Sequence, residues 1–187
     1  MTDLVRSQQQ LATARKLSDV MNDRRRWLLL DYSSSMDAFV NFETRERRID
    51  ALRATVKSLR EVEQIRFRQM LFGASVEVRE DIPEPAGGTP LAQALMEVKA
   101  YNPSQVCVVS DGEPAAPDLC LQAAAALGVK IDVFYIGPPG GHGEDFLRKL
   151  AEASGGRFAS NDLSGGVKAL TSQVRDSLLA LPPAVAL

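Results

Sequence analysis

In the stretch "LLLDYSSSMDAF", an apolar run closes on oxygen-bearing side chains at every second position: Asp31, Ser33 and Ser35. A second apolar run, "QVCVVSD", also ends in an aspartate, Asp111, and the loop "DIPEPAGGTP" between them contributes hydroxyls such as Thr89. Two carboxylates joined by hydroxyls offer oxygen donors alone. Such a set suits a hard, octahedral cation that keeps some of its waters, which favours Mg²⁺, then Mn²⁺, over Ca²⁺ and over zinc.

These groups can converge only if the two strands lie side by side. In open α/β sheets ligands sit beyond the carboxyl ends of the strands where strand order reverses, because the loops diverge there and leave a crevice. The rest of the chain supplies the elements for such a sheet. "RRRWLLLD" predicts a short buried strand. Residues 44–62 place Ile49, Leu52, Val56 and Leu59 at helical spacing, which predicts an amphipathic helix with its arginines outward. "IRFRQMLFG" and "SVEVRE" alternate around Gly73 and Ala74, as two strands joined by a tight turn and therefore antiparallel.

"LAQALMEVKA" predicts a helix, "QVCVVSD" a strand, "PDLCLQAAAALG" a helix stopped by Gly128, and "VKIDVFYIG" a strand. "EDFLRKLAEASGG" then predicts a helix and "RFAS" a last strand. A final helix is expected from the period of Leu163, Val167, Leu170, Val174 and Leu178. Strands alternating with helices imply a Rossmann-like, doubly wound α/β fold: a mostly parallel six-stranded sheet with one antiparallel edge strand and helices on both faces. Leu4, Leu11, Ala14, Leu17 and Met21 predict a further helix, so the chain divides into an N-terminal helical extension, 1–24, and one α/β domain, 25–187.

Composition bounds the function. A length of 187 residues with 45% hydrophobic content suits one domain with a real core. A formal charge of −2 argues against a dedicated nucleic-acid binder, although residues 1–80 carry 15 Lys+Arg against 12 Asp+Glu and the remainder 7 against 12. Cys107 and Cys120 lack metal-ligand spacing and read as buried thiols of a reducing compartment. "MTDLVRSQQQ" has no apolar signal region and no run is long enough to span a bilayer, so a cytoplasmic protein without membrane attachment is expected.

Taken together and in order, "DYSSS", "GGTPL" and "SDGEP" resemble the metal-ion-dependent adhesion site of a von Willebrand factor A domain. The likeness covers roughly residues 25–181. The family's Asp-x-Ser-x-Ser element falls on Asp31, Ser33 and Ser35, its threonine on Thr89 and its second aspartate on Asp111. Where many bacterial relatives carry glycine, this chain has Ser34. The resemblance implies that the hydroxyls contact Mg²⁺ directly and that one or both aspartates act through water. An Asp or Glu of a partner protein then completes the coordination. It implies a non-enzymatic adapter, working beside an AAA+ ATPase of the MoxR type or within a multi-subunit assembly.

Blander readings attach to each motif. Ser33, Ser35 and Thr89 are also good helix caps, and Asp111-Gly112 is a good turn. Convergence at a switch point is what caps and turns do not require. Asp37 and Glu113 read as solvated rim, His142 as a loop residue without zinc partners, and Arg24, Arg25 and Arg26 as a solvated strand edge. "GPPGGHGED" lacks the Gly-Lys-Ser/Thr of a phosphate loop, and Ser154 lacks a nucleophile elbow. A Mg²⁺-dependent phosphohydrolase of the haloacid-dehalogenase kind needs an acid two residues after its aspartate; here Ser33 stands there, and a hydroxyl cannot serve as acid/base at neutral pH. A structural protein with an inactive metal site is the remaining alternative.

Overall fold

Both aspartates stand at the same end of one six-stranded sheet. The computed structural model describes residues 25–41, 43–62, 65–164 and 166–180; the expected N-terminal helix over 1–24 lies outside them. In chain order the elements are β1 (Arg26–Asp31), a 3-10 turn (Ser34–Asp37), β2 (Phe39–Asn41), β3 (Glu46–Arg47), α1 (Arg48–Arg60), β4 (Arg68–Phe72) and β5 (Val76–Glu77). There follow α2 (Leu91–Lys99), β6 (Gln105–Ser110), α3 (Pro117–Leu127), β7 (Ile131–Ile136), α4 (Glu144–Ser154), β8 (Phe158–Asn161) and α5 (Val167–Leu179).

The sheet order is β5-β4-β1-β6-β7-β8, parallel throughout except for the antiparallel edge strand β5. From β1 the chain moves to one side, to β4 and β5, and then crosses back to β6 on the other side. Strand order therefore reverses between β1 and β6, the geometry that opens a crevice at their carboxyl ends.

Alternation along the strands sends side chains to two cores. Trp27, Leu29, Val106, Val108, Val133 and Tyr135 face α2, α3 and α4. Leu28, Leu30, Cys107, Val109, Phe134 and Ile136 face α1 and α5. With both faces covered, β1 and β6 read as continuous apolar runs rather than alternating ones. Helix α1 buries Ile49, Leu52, Val56 and Leu59, the side chains picked out by the helical period. Each such side chain contributes about 1.5–3 kcal/mol on burial.

Three expectations need correction. Residues 44–47 are not helical: β2 and β3 form a two-stranded antiparallel hairpin, and α1 begins only at Arg48, where the Asp50 carboxylate accepts the Arg47 N–H at 3.2 Å. The last helix begins at Val167. Leu163 lies before it with φ +59°, yet it is buried in the α1/α5 core, so its apolar side chain serves packing rather than helical period. The arginines of α1 are not simply outward, as the site makes clear.

Candidate metal centre

Register brings the first pair of groups together. Leu30 is level with Val109, so Asp31 ends β1 beside Ser110 at the end of β6. Asp31 is fully buried, and its two carboxylate oxygens are both engaged: Oδ1 accepts the Ser33 N–H at 2.7 Å and Oδ2 accepts the Ser110 hydroxyl at 2.6 Å. Ser33 Oγ lies 3.0 Å from Ser35 Oγ, and Ser35 Oγ donates to Asp111 Oδ1 at 2.7 Å. A line of oxygens thus runs from Ser33 through Ser35 to Asp111 across the β1/β6 crevice.

Thr89 reaches the same place from a different loop. A Cβ built on Gly112 would stand 3.9 Å from both Ser35 Oγ and Thr89 Oγ1, so these two hydroxyls flank one point. The loop is held there by the segment after β1. Ala86 N–H donates to Tyr32 O at 2.7 Å, and Gly87 O accepts both the Ser34 N–H at 3.0 Å and the Ser34 hydroxyl at 3.1 Å. Gly87 takes φ +77°, and a Cβ on it would come within 2.4 Å of Ala74 Cα, so only glycine fits this approach. The Ser34 side chain adds a second bond to that clamp.

The capping explanation of the serines is weakened by the same geometry. Ser33 precedes the 3-10 turn without making a side-chain cap, and α2 begins after Pro90 with no side-chain cap either. Nor is Asp111-Gly112 only a turn, since the Asp111 carboxylate is tied to Ser35.

Two acidic groups are crowded together here. Burial pushes the Asp31 carboxyl up to about 7, the negative charge of Asp111 pushes in the same direction, and the hydrogen bonds from Ser110 and Ser33 oppose them. A divalent ion beside these oxygens would favour the ionised form. The donor set fits Mg²⁺ or Mn²⁺: five side chains, all oxygen, two of them carboxylates. Among the described residues no group of three or more His, Cys, Asp and Glu side chains is placed to hold a metal ion.

Two residues of the site escaped the sequence reading. Ser110 reads from the sequence as the end of a strand, and its signal is a hydroxyl directly before Asp111 at that end. Arg48, assigned to the outer face of α1, instead donates from Nη1 to Asp111 Oδ2 at 2.6 Å, with 17% of its side chain exposed. The signal was its place. Two arginines at a helix N-terminus oppose the macrodipole and call for nearby anions. Arg47, which precedes α1, bonds Asp37, Asp50 and Glu84, and Arg53 bonds Asp50 and Glu84, so these arginines staple α1 to the loops around the site. These contacts hold the carboxyls of Asp50 and Glu84 below their usual range. Asp37 is therefore an exposed ion-pair partner, while Glu113 is exposed beside the motif. His142 is exposed in the turn before α4. Cys107 and Cys120 are free and buried, and burial raises both thiols to about 12.

Comparison with solved structures gives this arrangement its place. The von Willebrand factor type A protein of Catenulispora acidiphila superposes with a TM-score of 0.61 at 16% identity, over 83% of this chain and 42% of that one. The manganese-loaded TRAP protein of Plasmodium vivax superposes with a TM-score of 0.58 at 20% identity, over 84% of this chain and 74% of that one. The chain has the von Willebrand factor A fold. No family model matches the sequence, and no curated protein matches it. Within this von Willebrand factor A fold, Asp31 ends β1, and Ser33, Ser35, Thr89 and Asp111 lie on three separate loops at the same carboxyl end of the sheet. No helix among the described residues is long and apolar enough to cross a membrane.

Proposed function

We propose that this domain is an intracellular, metal-dependent protein-interaction module. Asp31, Ser33, Ser35, Thr89 and Asp111 hold Mg²⁺, and an Asp or Glu side chain of a partner completes its coordination. The metal supplies a positive centre for that carboxylate; the protein's residues bind and orient it. The observation that carries this reading is the run of oxygens Ser33, Ser35 and Asp111 beside the buried Asp31 at the switch point. The manganese-loaded state of the Plasmodium protein supports a divalent ion in this fold. The partner is an AAA+ ATPase of the MoxR type or a multi-subunit assembly in the cytoplasm, with neither nucleic acid nor membrane involved.

The site is non-catalytic in this reading, because Ser33 stands where a phosphohydrolase of the haloacid-dehalogenase kind needs its acid. One observation favours a second reading, a structural protein with an inactive metal site: Arg48 already provides a positive charge to Asp111. The two are separated by the thermal stability of wild type and Asp111→Ala in Mg²⁺ and in EDTA. A ligand bound only by the folded state at about 100 times its Kd stabilises by about 2.7 kcal/mol. Stabilisation of wild type alone supports the adapter, and a tagged-protein pull-down in the same four conditions then identifies the partner. Equal stability of each protein in Mg²⁺ and in EDTA supports the structural reading.

A further inference from the structure

Arg48 is the first residue of α1 and the one arginine of that helix that points into the site. Its guanidinium meets Asp111 Oδ2 at 2.6 Å, while Asp111 Oδ1 is taken by Ser35; the Asp111 side chain has no exposure of its own. The ion pair is thus inside the crevice, not on its rim, and water screens it little. Arg47, at the end of β3, and Arg53, on the same helix, pair instead with the more exposed Asp37, Asp50 and Glu84.

A fixed positive charge on one of the two carboxylates changes what the site can hold. Asp31 and Asp111 alone would match a divalent cation charge for charge, leaving a neutral loaded site with little pull on a further anion. With Arg48 the loaded site keeps one positive charge. The same charge repels the incoming metal, since like charges at such short range cost free energy even at a high effective dielectric.

Resting on the assignment of Asp31, Ser33, Ser35, Thr89 and Asp111 as a divalent-cation site, we propose that Arg48 sets its charge balance, weakening the hold on metal and strengthening the hold of the loaded site on a carboxylate ligand. The two effects have opposite signs. A residue that merely kept Asp111 in place would move both in the same direction.

The test uses the full chain and four proteins: wild type, Arg48→Gln, Arg48→Met and Arg48→Lys. Mn²⁺ is titrated in, with the free ion followed by its paramagnetic resonance signal. A short peptide carrying one glutamate is then titrated by calorimetry into the Mn²⁺-saturated proteins. Arg48→Gln and Arg48→Met, alike in lost charge and unlike in hydrogen bonding, should each tighten Mn²⁺ binding by about tenfold. Both should weaken the peptide by about three- to tenfold. Arg48→Lys should stay near wild type in both.

Mn²⁺ binding that is unchanged or weaker in both neutral variants overturns the proposal, while sensitivity of that binding to Asp111→Ala leaves the metal-site reading standing. No Mn²⁺ binding by any of the proteins overturns both. If the neutral variants do not fold in EDTA, recovery of folding on adding Mn²⁺ supports the proposal, and failure to recover overturns it.

Discussion

The two ends of the sheet each bury an aspartate, and the surroundings of the two differ in kind. At the amino end, Asp132 of β7 accepts the Arg157 N–H at 2.8 Å, the Arg157 Nη2 at 3.1 Å and the hydroxyl of Ser177 from α5. One carboxylate meets three donors, one of them charged, and nothing is left over. At the carboxyl end, the one guanidinium meets Asp111 alone, Asp31 has only the Ser33 N–H and the Ser110 hydroxyl, and its carboxyl is raised to about 7. A closed polar cluster holds an architecture together; an incompletely neutralised one is available to a ligand. Asp132 fastens α5 to the sheet, and the Asp31/Asp111 pair is the part of the molecule that would gain from a cation.

The contrast is broken most severely by Asp132→Ala. Removing that carboxylate strands the Arg157 N–H and takes from the buried Ser177 hydroxyl its charged acceptor. The expected loss is about 2–4 kcal/mol of unfolding free energy in urea, the same in Mg²⁺ and in EDTA. A loss that Mg²⁺ relieved would mean that the two ends are not independent.

Asp31→Asn sharpens the contrast from the other side, with the opposite sign. A carboxyl whose folded pKa is raised from 3.8 to about 7 contributes stability at low pH that is lost as pH rises through about 7. Metal-free wild type should therefore lose stability from this group between about pH 4 and pH 7. The asparagine variant should not, and in EDTA at pH 8 it should be more stable by about 1–3 kcal/mol. The same substitution should abolish stabilisation by Mg²⁺. Parallel pH profiles for the two proteins, from urea midpoints in EDTA, would show that Asp31 is accommodated as fully as Asp132.

The unequal visibility of the two regions in the sequence has a physical basis. Buried parallel strands such as "RWLLLD" and "QVCVVS" declare themselves by continuous apolar character, and the carboxylates ending them by contrast with it. Order along the chain then suffices to place Asp31 and Asp111 in one crevice. Arg48 was misplaced because helical period reports which side chains are apolar, not where a long cationic one will reach; its role depends on a carboxylate 63 residues away. Leu163 was misplaced for the converse reason, since its burial follows from packing at φ +59°. The β2–β3 hairpin escaped because its strands are short and half exposed, with none of the apolar alternation that marks a sheet face. Asp132 looked like one polar residue in a strand, and its partners Arg157 and Ser177 lie 25 and 45 residues further on.

The smallest expected effect falls on the loop that carries Thr89. Ser34→Gly leaves the backbone bond from residue 34 to Gly87 O intact at its 3.0 Å distance and removes only the exposed side-chain bond at 3.1 Å. It also adds backbone freedom to the unfolded chain. The combined cost should stay below about 1 kcal/mol in urea. Thr89 follows Gly87 by two residues, so any loosening of the clamp passes to its hydroxyl, and Mg²⁺ affinity should fall by less than about threefold, read from the Mg²⁺ dependence of thermal stability. A larger fall would mean that the side-chain bond, and not the backbone one, sets the position of Thr89. The carboxyl end would then depend on a surface contact in a way that the amino end, tied inward through Ser177 and Arg157, does not.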